Sequence, residues 1–150
     1  YGLDAYEVSN FARSESHRSS HNQKYWRHTP YLGLGPSAHS FDGRSRWWNH
    51  RTTGPYTQAV ARGERPIAER EMLDAADLAL EEVMLRLRTV DGLDIRGFHK
   101  RHDIDLESTN AGFIRELKKD GIARYQDGNL QLTTRGLALA DWVIEQVELD

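Results

Sequence analysis

The chain has 150 residues, of which 38% are hydrophobic and 29% charged, and its formal net charge is −3. This composition is typical of a globular protein and excludes a disordered chain, and the apolar runs are too short for a membrane-spanning helix. The absence of Cys excludes a disulfide framework, a thiolate zinc site and a cysteine-ligated iron–sulfur cluster within these residues, and it agrees with a cytoplasmic location.

The charge is unevenly distributed along the chain. Residues 1–65 contain nine Lys or Arg and five Asp or Glu, whereas residues 66–150 contain eleven and eighteen. This difference, together with a Gly-Glu-Arg-Pro sequence at 63–66, predicts two domains, 1–65 and 66–150. Because the chain starts at Tyr1, at what we predict to be the middle of a strand, we expect it to be a fragment of a longer protein.

The first half of the chain predicts short elements separated by turns. Ser20 and Gln23 have the spacing of a capping box, so we expect a helix to begin at Ser20 and to end before Pro30. The other predicted elements are a strand at 3–8, a polar loop at 13–20, a buried strand at 31–35, a hairpin around Asp42-Gly43 and a helix at 54–62.

The second half predicts a mainly helical module. Apolar residues at spacings of three and four indicate a long amphipathic helix at 69–89. Further helices are predicted at 95–100, at 106–119 and from Thr133 or Thr134 to 147, with a hairpin around Asp127-Gly128 between the last two. The fold class is therefore α+β, and the order of these elements is typical of a winged-helix-like module.

The most chemically informative stretch is residues 19–40. His21 and Tyr25 are four residues apart, so they share one face of the predicted helix. A neutral imidazole is a good ligand for a transition metal or haem iron, a Tyr oxygen is a rarer haem ligand, and the first turn of a helix favours the neutral imidazole. Asn22 can orient the His21 ring or a propionate, and Trp26 offers a flat apolar surface. Such a group is also typical of a helix that only packs on a sheet.

Other patterns in this stretch favour different chemistry less well. His17 and His21 are also four apart, but a polar loop separates them and no HExxH zinc motif is present. Residues 33–38 fit the G-x-G-x-x-G/A pattern of dinucleotide-binding loops, but a hairpin rather than a helix is predicted to follow. We therefore expect Gly33 and Gly35 to allow close backbone approach, with His39 beside a pocket or hydrogen-bonded in the core.

Nucleic-acid binding is disfavoured by the charge of the second half. Residues 47–51, Trp-Trp-Asn-His-Arg, combine aromatic and basic side chains, a pattern that suits stacking on bases. The predicted wing at 124–132, however, contains one basic residue within an acidic module, which would repel a phosphate backbone.

Several motifs occur together in one order: Tyr6–Ala12 (YEVSNFA), His21–Trp26 (HNQKYW), Tyr31–His39 (YLGLGPSAH), Leu85–Thr89 (LRLRT) and Leu132–Gly136 (LTTRG). In this order they resemble the C-terminal portion of the oxygen-independent coproporphyrinogen III oxidase-like radical S-adenosylmethionine proteins. The HNxxY sequence formed by His21, Asn22 and Tyr25 resembles the haem-binding motif of the haem-chaperone branch.

The resemblance implies that the first domain completes a partial (β/α) barrel and that 66–150 form a small helical domain. It also implies a longer protein that binds S-adenosylmethionine and a [4Fe–4S] cluster, which this cysteine-free chain cannot itself ligate. We expect haem at His21, Asn22 and Tyr25, with iron on His21 and with Gly33, Gly35 and His39 approaching the cofactor, and delivery of haem to acceptor proteins. The alternatives are oxidative decarboxylation of coproporphyrinogen III and, from another class, a winged-helix module that docks a protein or a nucleic acid.

Overall fold

The computed structural model describes residues 2–149 and confirms the α+β class. The chain forms two compact units. We call them the terminal unit, which contains the residues up to Arg27 and those from Ala75 onward, and the central unit, which spans His28–Asp74. The partial barrel and the winged-helix-like module stay predictions.

The elements are short and alternate along the chain. The strands are β1 (Asp4–Glu7), β2 (Asn10–Ala12), β3 (His39–Phe41), β4 (Ser45–Asn49), β5 (Ile67–Met72), β6 (Leu93–Asp94), β7 (Ala123–Gln126) and β8 (Asn129–Leu132). The helices are α1 (Ser20–Trp26), α2 (Thr53–Ala61), α3 (Ala75–Leu87), α4 (Ile95–His102), α5 (Leu106–Thr109), α6 (Ala111–Lys119), α7 (Thr134–Leu137) and α8 (Ala140–Glu145).

The terminal unit contains the main hydrophobic core. Helix α3 contributes a stripe at i, i+4 and i+8, Ala79, Val83 and Leu87, and each of these side chains is almost fully buried. Phe98 of α4 and Leu93 of β6 are also fully buried against this cluster. The strand order β6–β8–β7 gives a small antiparallel sheet, while β1 and β2 form a separate hairpin. The helices therefore pack on one another and on three short strands.

The central unit is a three-stranded antiparallel sheet, β3–β4–β5, with helix α2. Its register places His39 opposite Trp48, and Trp48 opposite Glu69, so these side chains form a row on one face. The predicted hairpin around Asp42-Gly43 is confirmed as the β3–β4 connection. The predicted helix at 54–62 is confirmed as α2.

The hairpin predicted around Asp127-Gly128 is also confirmed. Both residues have positive φ, 53° and 83°. Two consecutive positive φ angles are the signature of a type I′ turn, whose twist matches that of the flanking strands. Local turn chemistry alone therefore sets the β7–β8 connection.

One predicted helix begins later than expected, and one predicted strand is wrong. The helix predicted at 69–89 begins only at Ala75, because residues up to Met72 form strand β5 on the open edge of β4. The buried strand predicted at 31–35 is instead a loop with Leu32 and Leu34 70% and 82% exposed. The predicted domain boundary between residues 65 and 66 stays a prediction.

Side chains satisfy the backbone of the 31–35 loop in place of a neighbouring strand. The Gly33 amide donates to Ser40 Oγ (3.0 Å) and the Gly35 amide to Tyr56 OH (3.1 Å). The side-chain nitrogen of Asn49 donates to the carbonyl oxygens of Gly33 and Gly35, at 3.4 and 3.0 Å. A Cβ at Gly33 would overlap the backbone of His39, so close approach requires glycine there.

Two predicted long helices are each divided in the structure. The helix predicted at 106–119 is interrupted at Asn110, which is buried. The side-chain nitrogen of Asn110 donates to the carbonyl oxygens of Leu106 (2.9 Å) and Glu148 (2.8 Å). The last predicted helix is divided into α7 and α8 around Leu139. Strand β2 was not predicted at all. In the part of the chain that is described, no helix has both the length and the apolarity to cross a bilayer.

A buried carboxylate joins α3 to α4. Glu82 is 8% exposed, and its Oε2 accepts from His102 Nε2 at 2.8 Å and from Arg101 Nε at 3.1 Å. Burial raises the pKa of Glu82, but the hydrogen bonds from Arg101 and His102 outweigh burial and leave the pKa below its ordinary value. The ionised form of Glu82 therefore stabilises the folded state.

Removing the Glu82 charge should cost stability only where the carboxylate is ionised. Because its folded pKa lies below 4.5, the contribution is present above that pH and is lost as the pH falls through the folded value. We expect Glu82→Gln to lower the free energy of unfolding by about 3 kcal/mol at pH 7, as for one partner of a buried ion pair. Urea unfolding should show the two proteins converging in acid, and a constant difference down to pH 2 would contradict this assignment.

Two helical glycines provide a matched pair of stability tests. A Cβ at Gly136 would overlap the carbonyl oxygen of Ile122, whereas a Cβ at Gly112 would meet nothing within 4 Å. Gly136→Ala should therefore destabilise the protein by about 2 kcal/mol through overpacking, while Gly112→Ala should stabilise it by about 1 kcal/mol through helix propensity. Thermal unfolding followed by circular dichroism distinguishes them, and equal shifts for both would contradict the packing at Gly136.

Candidate functional site

The HNxxY residues lie on α1, in the terminal unit. The helix begins at Ser20 as predicted, but its cap is Ser19 rather than Ser20, because the Ser19 side chain accepts from the Asn22 backbone amide at 3.2 Å. Its last residue is Trp26, before the predicted stop at Thr29-Pro30. None of its seven residues is buried. The cap still places His21 in the first turn.

His21 and Tyr25 contact each other as their spacing predicts. Tyr25 OH lies 3.1 Å from His21 Nε2, and the two rings meet edge to face with centroids 5.0 Å apart. His21 is exposed and Tyr25 is half-buried. A hydroxyl and an imidazole that share a hydrogen bond at the surface are both within reach of a ligand.

The opposite side of α1 is packed against the rest of the terminal unit. Trp26 meets Tyr6 edge to face at 5.6 Å, and the Arg18 guanidinium lies 5.5 Å from the centre of the Tyr6 ring. These side chains border a cavity of about 10 Å³, the space of about one water molecule. No porphyrin fits there, so any large ligand of α1 approaches from the side of His21. Trp26 thus contributes packing beneath α1.

Asn22 makes a contact that the sequence analysis did not identify. Its side-chain nitrogen lies 3.2 Å from Asn10 Oδ1, to which it donates a hydrogen bond. Asn10 belongs to the YEVSNFA motif, one of the motifs on which the family resemblance rests. The pairing across twelve positions could not be read from local spacing.

The remaining predicted residues, Gly33, Gly35 and His39, lie in the central unit. His39 is exposed and stacks on Trp48, with ring centroids 5.5 Å apart. An open cavity of about 540 Å³ is bordered by Ser37, His39, Trp48, Arg51 and Glu69. Ser37 has a φ of +60°, a strained value for a non-glycine residue. His39 therefore faces open space, while the two glycines hold the preceding loop.

Metal binding by a preformed protein cluster is not seen between residues 2 and 149. No group of three or more His, Cys, Asp or Glu side chains is arranged there to hold a metal ion. On α1, the His21 imidazole is a group that could hold a haem iron, and the Tyr25 phenol beside it could hydrogen-bond to that imidazole.

Comparison of the sequence with known proteins identifies relatives of this chain. Residues 73–139 match the HemN C-terminal domain. Heme chaperone HemW of Mycobacterium tuberculosis (strain CDC 1551 / Oshkosh) is 34% identical over 143 residues, which cover 95% of this chain and 34% of the relative. Heme chaperone HemW of Bacillus subtilis (strain 168) is 27% identical over 143 residues, covering 95% of this chain and 38% of the relative.

A solved structure shows the same fold. Coproporphyrinogen III oxidase (HemN) from Escherichia coli, a radical SAM enzyme, matches 96% of this chain and 31% of its own length with a TM-score of 0.60 and 20% sequence identity. The chain thus spans about a third of the length of the relatives it matches. In sequence and fold it is similar to the C-terminal portion of HemN/HemW-like radical SAM proteins.

Proposed function

We propose that the protein is a haem chaperone that holds haem at His21 and delivers it to acceptor proteins. The observation that carries the proposal is the hydrogen bond on α1 between His21, which is exposed, and Tyr25, which is half-buried. The name Heme chaperone of relatives 34% and 27% identical to this chain supports it. The oxidase alternative has less support, because the HemN structure shares 20% identity and therefore the fold alone.

Bound haem would supply an iron that accepts a nitrogen lone pair. We assign that lone pair to His21 Nε2, the atom that now lies 3.1 Å from Tyr25 OH. This distance is that of a hydrogen bond and leaves no room for an iron between the two atoms. It therefore supports Tyr25 as a hydrogen-bond partner of His21 rather than as an iron ligand. In the tautomer protonated at Nδ1, Tyr25 OH donates to His21 Nε2, and that nitrogen is the one that carries the lone pair.

The other residues and cofactors predicted from the sequence are also part of this proposal. His39 borders an open cavity and remains a candidate porphyrin contact, with Gly33 and Gly35 shaping the loop before it. We propose that the [4Fe–4S] cluster and S-adenosylmethionine implied by radical SAM relatives are bound outside these residues, which include no cysteine. A cytoplasmic location stays a prediction.

The helical second half provides a candidate docking surface for the acceptor. Its elements, from α3 through the β7–β8 hairpin to α8, support a winged-helix-like module. Residues 66–150 contain eleven basic and eighteen acidic side chains, which disfavours nucleic acid. We propose that this module contacts the acceptor protein.

Replacing His21 should remove the haem ligand. We expect His21→Ala in the full-length protein to weaken haem binding at least about tenfold, the equivalent of roughly 1.4 kcal/mol, and to shift the Soret band. Tyr25→Phe should leave the Soret band in the wild-type position, because it removes only a hydrogen bond. Absorption titration with haem measures both effects.

The matched control is His17→Ala, which removes another exposed histidine four residues before His21. It should leave the affinity and the spectrum unchanged. Identical titrations for wild type and His21→Ala would refute the ligand assignment. A Soret shift with Tyr25→Phe equal to that with His21→Ala would make Tyr25 a ligand.

A further inference from the structure

We propose that Asn22 is a positioning residue that acts through Asn10, Glu7 and Arg88 and not through contact with haem. These side chains are joined by two hydrogen bonds and one ion pair that lead from α1 to the residue after α3, and we call them the anchor network. The inference rests on the proposed function in one respect, that His21 and Tyr25 are the groups being positioned.

Glu7 is the centre of the anchor network. The residue is 5% exposed, and its Oε2 accepts from the Ser9 amide at 2.9 Å and from Asn10 Nδ2 at 2.7 Å. A buried carboxylate is costly unless it is paired and hydrogen-bonded, so these donors are required for Glu7 to remain buried. The hydrogen bond from Asn10 Nδ2 to Glu7 fixes the orientation of the Asn10 side chain, so that Asn10 Oδ1 is directed toward Asn22 of α1.

Arg88 attaches this carboxylate to the helical domain. Its Nε lies 3.4 Å from Glu7 Oε1, and its NH1 pairs with Asp141 of α8. The Arg88 carbonyl also accepts from the Val8 amide at 3.1 Å, and Glu7 forms a β-bridge with Thr89. The β1–β2 hairpin is therefore held to the end of α3 by both side chains and backbone.

Besides the Trp26–Tyr6 ring contact, two hydrogen bonds hold α1 and its cap to the hairpin. Asn22 Nδ2 donates to the fixed Asn10 Oδ1 at 3.2 Å, and the Ser19 amide donates to Tyr6 OH at 3.1 Å. With seven residues and none of them buried, α1 is too short to be stable alone, so its geometry depends on such attachments. Because adjacent helix residues differ by about 100° in direction, Asn22 can reach the hairpin while His21 faces away.

The inference explains why three separated motifs occur in one chain. Glu7 and Asn10 come from YEVSNFA, Asn22 from HNxxY and Arg88 from LRLRT. In the structure they form one continuous path within the terminal unit. Asn22 connects HNxxY to this path through its hydrogen bond to Asn10, while His21 and Tyr25 lie within hydrogen-bonding distance of each other.

A double-mutant cycle in the full-length protein tests this inference. If Asn22 acts through Asn10, then Asn22→Ala should weaken haem binding about fivefold, the effect of losing one hydrogen bond, and Asn10→Ala at least as much, because it also removes a donor from Glu7. The double variant should be weakened no more than Asn10→Ala alone, because the Asn22–Asn10 hydrogen bond is already lost in that variant. The Soret band of each variant, at saturating haem, should keep the wild-type position, since the iron ligand is retained.

Additive losses, with the double variant about fivefold weaker than Asn10→Ala alone, would overturn the inference, because Asn22 would then act independently of Asn10. Unchanged affinity in both single variants would overturn it as well. Lys24→Ala is the control, since Lys24 is exposed on the same helix and should leave the affinity unchanged.

Hydrogen exchange without haem separates this inference from the proposed function. The α1 amides of residues 23–26 should exchange faster in Asn22→Ala and in Asn10→Ala, and no faster still in the double variant. If wild type and His21→Ala bind haem equally while exchange follows this pattern, the haem proposal fails and the anchor network stands. Wild-type exchange rates in both single variants would refute the network itself.

Discussion

The buried carboxylate of Glu7 is the constraint on which the candidate site depends. A charge at 5% exposure must be compensated by donors, and in this chain the donors come from the turn of its own hairpin and from Arg88 at the end of α3. The same arrangement leaves Asn10 with an acceptor aimed at α1. The contacts that compensate the buried Glu7 carboxylate therefore also orient α1, a helix too short to hold its position alone.

The anchor network divides α1 into two chemically different sides. Tyr6, Arg18 and Trp26 pack beneath it and leave space for about one water molecule, while His21 and Tyr25 remain accessible. This division fits a ligand that is held at a surface and then passed on, since an exposed imidazole exchanges partners more easily than one enclosed in a core. The proposed chaperone function needs both capture and release.

Local patterns predicted local structure well in this chain. The His21–Tyr25 contact followed from helical spacing, and Asp127-Gly128 predicted its hairpin because a type I′ turn requires positive φ at two positions. The failures were long-range. Residues 69–72 show no signal of their own for a strand, and they become one because β4 offers an unpaired edge.

The candidate site shows the same limit. Asn22 was identified by its motif, but its partner Asn10 lies twelve positions away, and the pairing depends on how β1 and β2 fold together. Strand β2 itself is only three residues long and has no distinctive pattern. Side-chain networks of this kind are set by tertiary packing, so helical spacing predicted the His21–Tyr25 contact but not the Asn22–Asn10 hydrogen bond.

The most direct test of the account is a structure of the full-length protein with haem bound. The account predicts iron on His21 Nε2, Tyr25 displaced from that nitrogen, and Asn22 still donating to Asn10 with Glu7 and Arg88 paired. Iron on another residue, or an Asn22 amide that has left Asn10 to contact a haem propionate, would contradict it.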